Sequence, residues 1–155
     1  DFFVSHSGEH STLLDFKLSD LDSMPDNTKL RIKDGKVVEV ESISINDVMD
    51  KNFNGVVPSY VSIDTEGSEY EILDSLDFEK YRPVVFTIEH NHSVLENKID
   101  KLMTSKGYVR VFRKITSFDA WYVRIDAIKC WTWEVLEKYF KSVVKSMSYN
   151  RVTIE

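Results

Sequence analysis

Residues 60–76, YVSIDTEGSEYEILDSL, run an alternating apolar segment into a knot of acids around one glycine, then directly into a helical pattern. Val61 and Ile63 share one face of a strand. Ser68 stands three residues before Glu71, the spacing of a capping box, and predicts a helix beginning near residue 69. Ile72, Leu73 and Leu76 supply its apolar face. Like charges at 64, 66, 69 and 71 repel, so they either serve a helix start, where each is favoured by about 0.3–1 kcal/mol, or edge a site. Glu71 is assigned to capping. Glu69 stays open between capping and binding, and Gly67 between a sharp turn and a site. Asp64 ends a core strand, where an acid is costly unless used or paired, and reads as functional.

Downstream, Pro83 closes a loop and VVFTIE (84–89) is a nearly unbroken apolar run, the pattern of a strand buried on both faces of a parallel sheet. Leu95, Ile99, Leu102 and Met103 form a helical stripe, and Gly107 stands where a helix C-terminal cap is expected. YVRVFRK and AWYVRI read as strands of an antiparallel hairpin across ITSFD, and WTWEVLEKYFKSVVKSM (131–147) as an amphipathic helix. Upstream, FFV (2–4) reads as a strand, SHSGEHSTLLDF and residues 19–29 as loops, and LRIKDGKVVEVESI as a hairpin turning at Asp34-Gly35. Ser44 is an N-cap for a helix over 45–50.

The order predicts an α/β fold with a Rossmann-like, mostly parallel sheet, right-handed crossovers and an antiparallel hairpin at its C-terminal end. One domain, 1–155, divides into a loop-rich part (1–41), a core (42–125) and a helical extension (126–155). In such sheets ligands bind beyond the carboxyl ends of the strands. Asp64 ends one strand; Glu89, His90 and Asn91 end the next. As neighbours they converge within about 5 Å, a cluster suited to a general base, a hydroxyl clamp or a metal site.

The bulk properties narrow the classes. A chain of 155 residues with net charge −6 lacks the basic field of a general nucleic-acid binder. No apolar run reaches the roughly 18 residues of a membrane span, and no signal peptide is expected. A lone cysteine, Cys130, cannot build an internal disulfide framework and fits a cytoplasmic protein. Counting from Asp64, an EF-hand would need glycine where Glu69 stands. His6, His10, His90 and His92 match no zinc spacing, so no metal site is assigned.

VSIDTEGSEYEILDSL, RPVVFTIEHN, LMTSKGY and FDAWYVR together resemble the C-terminal half of FkbM-type methyltransferases, over about residues 42–125. The family's motif is an apolar strand running into an acid, a second acid, glycine, a further acid and a leucine. Asp64, Glu66, Gly67, Glu69 and Leu73 fill it, while Ser62 replaces a frequent lysine. Glu89 and His90 match a second signature. The resemblance implies a truncated class I methyltransferase fold and S-adenosylmethionine-dependent O-methylation of a sugar or small metabolite. It also implies Asp64, Glu89 or His90 as catalytic groups, and Glu66, Gly67, Glu69 and Asn91 as substrate-binding residues. His6, Ser7, His10 and Ser11 would then line the pocket.

The family's glycine-rich cofactor loop is missing, since Gly8, Gly35 and Gly55 are widely separated. The cofactor-binding residues are therefore unassigned, and S-adenosylmethionine binding by this chain is expected to be weak. The chain starts DFFVSHSGEH without an initiator methionine, and is expected to be part of a longer protein. The expected partner is a small hydroxyl acceptor, with no nucleic acid and no membrane. A bare sheet edge would favour a homodimer, or burial of that edge by the first 40 residues. Two alternatives stand: a non-catalytic Rossmann-like module binding a partner through Trp131, Trp133 and the terminal helix, and a magnesium-dependent hydrolase using Asp64, Glu66 and Glu89.

Overall fold

A computed structural model describes residues 1–6 and 8–128. Ser7, Cys130, Trp131, Trp133 and the 131–147 stripe lie outside them. Asp1–Arg124 forms one compact unit, and a second begins at Ile125 with α5 (Ile125–Ile128). Among the described residues no helix is long and apolar enough to cross a membrane.

The first unit contains two sheets. In the larger, β4 (Tyr60–Ile63) and β5 (Val85–Glu89) are parallel neighbours, joined by a crossover through α3 (Glu69–Ser75). The chain then passes through α4 (Leu95–Ser105) to β6 (Tyr108–Val111) and returns as β7 (Asp119–Arg124). β7 inserts antiparallel to both neighbours, giving the order β4-β5-β7-β6. The predicted hairpin is present. The predicted mostly parallel sheet is corrected to a mixed one: three strands share a direction, yet only β4–β5 is a parallel pair. Register explains the insertion. Ala120 and Tyr122 of β7 sit opposite Ile88 and Phe86 of β5, extending the buried layer beneath α3 and α4.

That layer is the core. Ile63, Phe86, Ile88 and Tyr122 from the sheet meet Leu73, Ile99 and Met103 from the helices, all at most 5% exposed. Phe78, Phe86 and Tyr108 pack as tilted and edge-on rings at centroid distances of 5.4–6.2 Å. β5 is buried on both faces along Phe86–Ile88, as its apolar run predicts. Gly107 takes φ +84° after α4, the left-handed conformation a helix C-terminal cap needs.

The smaller sheet, β2-β1-β3, joins β1 (Phe2–Val4), β2 (Thr12–Leu13) and β3 (Lys36–Val38). Here the sequence reading needs correction. Leu30–Ile32 is no strand but the end of α1 (Pro25–Ile32), which also claims part of the expected 19–29 loop. Pro25 opens this helix at its first turn, where its fixed φ is pre-set and its missing N–H is not needed. Asp34-Gly35 still turns the chain, but from α1 into β3, and β3 pairs with β1. Gly35 is required by packing: a Cβ there would lie 2.1 Å from the Phe3 ring. Thr12–Leu13, expected in a loop, pairs with β1. The described residues among the first 38 thus make their own sheet and add no strand to the larger one.

The predicted cap of α2 (Ile45–Phe53) is observed, with Ser44 Oγ accepting the Asp47 amide at 3.1 Å. The predicted Ser68–Glu71 capping box is not. Ser68 is the N-cap residue but makes no side-chain cap bond, and its hydroxyl donates to Thr65 Oγ1 at 2.9 Å. Glu69 has taken over the turn.

Candidate functional site

The carboxyl ends of β4 and β5 form the site. Carboxylate oxygens of Asp64, Glu66 and Glu89 lie within 4.8 Å of one another. Parallel pairing of Ile63 with Ile88 brings Asp64 and Glu89 to the same edge, as the sequence predicts. Asp64 is exposed, however, so the desolvation argument for its function does not hold in this fold. Glu89 is the perturbed acid. Burial, with the charges of Asp64, Glu66 and Glu69, pushes its carboxyl up to about 8, opposed by a hydrogen bond from Asn91. Its Oε2 is buried and has no hydrogen-bond partner.

The turn between β4 and α3 is built by its own acid. Glu69, 3% exposed, accepts the Thr65 amide (2.8 Å) and hydroxyl (2.9 Å) on Oε1, and the Gly67 amide at 3.1 Å on both oxygens. Its contacts all lie within the turn, and it stays out of the trio. Gly67 has φ +123°, and a Cβ on it would lie 2.4 Å from Ser19 Oγ. Gly67 therefore seats the N-terminal segment against the turn.

Glu66 also has left-handed backbone, φ +59°, and is held from that segment. Arg31 Nη2 reaches its Oε2 at 2.5 Å and Asp20 Oδ2 at 2.9 Å, with the Arg31 side chain fully buried. The Thr12 hydroxyl is shared between the carbonyls of Glu66 (2.9 Å) and Thr65 (3.3 Å). His10 Nδ1 stands 3.6 Å from Glu66 Oε1, too far for a hydrogen bond. Burial raises the Glu66 pKa, against the lowering effects of Arg31 and His10. Of the two histidines expected at the pocket from this segment, His10 arrives and His6 is exposed with no contact to the trio.

His90 and Asn91 end β5 as expected, both buried. Asn91 serves Glu89, as above. His90 turns to a separate network: Nε2 is 3.1 Å from Arg110 Nη2, and Nδ1 is 3.1 Å from the His92 amide and 3.8 Å from Glu96. Arg110 also binds Glu96 at 2.6 Å and Asp100 at 3.3 Å. Burial lowers the His90 pKa, and Arg110 and His92 lower it further against the pull of Glu96. Facing donors on both sides, this imidazole is a poor proton acceptor for a ligand.

Among the described residues, two groups bring potential metal ligands together: the acid trio, and His90 with His92 and Glu96. In each, other charged groups compete for the ligand atoms. Glu66 already has Arg31 as counter-charge. A His90 ligating through Nδ1 would turn its Nε2–H toward the Arg110 donors, the reverse of the acceptor a metal-bound histidine needs behind it. The magnesium-hydrolase alternative loses support on this geometry.

Beside Asp64 and Thr65 opens a cleft of about 560 Å³. Phe2, Leu13, Phe16, Ile43, Ile45 and Ile72 form apolar walls, with serine hydroxyls from positions 11, 42, 44, 68 and 75 among them. Sequence reasoning missed Arg31, Thr12, Asp20, Arg110 and this cleft. The signal for α1 was Pro25 followed by Asp26 and, a turn later, Lys29 and Arg31, a helix start and stop pattern overridden by the alternation of residues 30–33.

The family model of the methyltransferase FkbM domain matches residues 1–110. No curated protein and no solved structure matches the chain. The match takes in the N-terminal segment, which the motif resemblance over 42–125 left outside.

Proposed function

Because the chain belongs to the FkbM methyltransferase domain family, we infer that its carboxylate edge is the acceptor side of an S-adenosylmethionine-dependent O-methyltransferase. The observation that carries this reading is the convergence of Asp64, Glu66 and Glu89 at the carboxyl ends of the parallel pair. S-adenosylmethionine supplies an electrophilic methyl group on sulfur. An acceptor hydroxyl becomes a competent nucleophile when its proton is drawn away as the new C–O bond forms. Glu89 is the best proton acceptor of the trio. A carboxyl pushed up to about 8 is matched to work near neutral pH, and its Oε2 has no competing donor. Asp64 and Glu66 accept hydrogen bonds from neighbouring hydroxyls and fix the acceptor's orientation. The cleft beside Asp64 houses the acceptor's body against its apolar walls.

The described residues do not fit the cofactor's usual cradle. Gly67 is the one glycine in a turn leading from a strand of the larger sheet into a helix, and Ser19 fills the space above it. The test is transfer of a labelled methyl group from S-adenosylmethionine to a panel of sugars and hydroxylated metabolites. Glu89→Gln is expected to lower the rate about 10²–10⁴-fold, the range for general-base catalysis. Asp64→Asn should mainly raise KM. Unchanged transfer in the double variant would sink the assignment.

A further inference from the structure

The acid trio sits at the meeting point of two pieces of chain, and the N-terminal piece brings a cation. Arg31 lies on α1, 35 residues before Glu66, and is 0% exposed. Its Nη2 joins Glu66 to Asp20, while Nη1 lies 3.4 Å from the Phe16 carbonyl and 3.4 Å from Ser19 Oγ. Those contacts fix the guanidinium from three sides. Glu66 in turn is fixed at its backbone by Thr12, which is fully buried, and by left-handed φ.

We propose that Arg31 is the positioning residue of the carboxylate edge: it holds the Glu66 carboxylate beside Asp64 and Glu89, and its fixed positive charge opposes protonation of Glu66. The inference rests on the reading of these acids as the acceptor site. A buried guanidinium stabilises the anion it touches, and two neighbouring anions discourage ionisation of a third. The charged and titratable groups facing Glu66 are Arg31 from α1, Asp20 from the turn before it, His10 from the loop after β1, and Asp64 and Glu89 from the strand ends. Glu69 adds its charge to Glu89 from α3. Arg31 is the permanent cation in that set. Loss of Arg31 would let Glu66 take a proton, relieve Glu89, and move the base to the wrong carboxylate.

The experiment is a carbon-detected NMR titration of the glutamate carboxyls in the full chain, with no methyl donor or acceptor present. Arg31→Met is combined with Asp20→Asn so that Asp20 is not left as a second orphaned buried anion. This double variant should raise the Glu66 midpoint by about 1–3 pH units and lower that of Glu89. Glu66→Gln keeps Arg31 paired with Asp20 and should lower the Glu89 midpoint by about half a unit or more. A folded double variant with both midpoints unmoved, even one of lower thermal stability, would reduce Arg31 to packing and overturn the proposal. Should the double variant not fold, an unmoved Glu89 midpoint in Glu66→Gln overturns it equally. Failure of methyl transfer would leave these titrations as they are, so the two readings fail separately.

Discussion

Ser19 presses its hydroxyl against Gly67 so closely that a Cβ on the glycine would lie 2.4 Å from the oxygen and 2.7 Å from Ser19 Cβ. The contact joins the small sheet's segment to the turn that carries Glu66. Gly67→Ala meets both a clash and a φ of +123°, where an L side chain is strained. The expected loss is about 1–3 kcal/mol in urea unfolding, the range for a single strained backbone site. Ser19→Gly in the same chain should recover part of it, because only the clash is removable. Equal stability of Gly67→Ala and wild type would mean the segment does not seat here.

Glu69, and not the Ser68–Glu71 pair, holds the start of α3. Removing its carboxylate strands the Thr65 and Gly67 amides. Glu69→Ala is expected to cost about 1–3 kcal/mol or more, the penalty for unsatisfied buried donors. Glu71 is exposed, and Glu71→Ala should stay within about 0.5 kcal/mol of wild type. Thermal or denaturant melts of the two variants decide between the caps, and a reversed ranking would restore the capping box.

Glu89 makes stability depend on pH in a direction that can be checked. Its folded pKa of about 8 lies above the ordinary 4.5. Between those values the folded chain holds a proton the unfolded chain has released, so raising the pH favours unfolding. The contribution is full below pH 4.5 and is lost as pH rises through about 8. Tm should therefore fall between about pH 5 and about pH 8.5 more steeply in wild type than in Glu89→Gln. The comparison of slopes isolates Glu89 from His90, whose lowered pKa acts in the opposite sense, costing stability as the pH falls. Parallel slopes in the two proteins would place Glu89 in ordinary solvent.

S-adenosylmethionine should bind this chain weakly or not detectably. A glycine-rich turn that lets backbone amides approach a ligand is missing from the sequence, and Gly67 is filled by Ser19. Isothermal titration calorimetry is the measurement. A micromolar Kd would show that a different set of residues holds the cofactor.

The parts of the fold legible in the sequence are those governed by local periodicity. The apolar run 84–89 has the pattern of a strand buried on both faces, and β5 is one. Leu95, Ile99 and Met103 line one helix face, Ser44 caps the helix after it, and Gly107 ends α4. Strand–helix–strand order from residue 60 then implied β4 beside β5, and with it the meeting of Asp64 and Glu89. The place of β7 between β5 and β6 was not legible, because antiparallel hairpin signals do not say which strand faces the next neighbour.

What YVSIDTEGSEYEILDSL determined by itself was a strand, a turn and a helix with acids at the join, and a site edge once its neighbour was known. Which acid does what was decided only by tertiary structure. Glu69 is consumed by amides of its own turn, Glu66 is paired with a guanidinium 35 residues away, and Glu89 is left with the proton. The physical reason is that periodicity reports which side of an element is apolar. Charge state depends on burial and on cations that arrive from elsewhere in the chain. Arg31 alternates with Leu30 and Ile32 as a strand residue would, and only the packing of α1 against the turn makes it the counter-ion of the site.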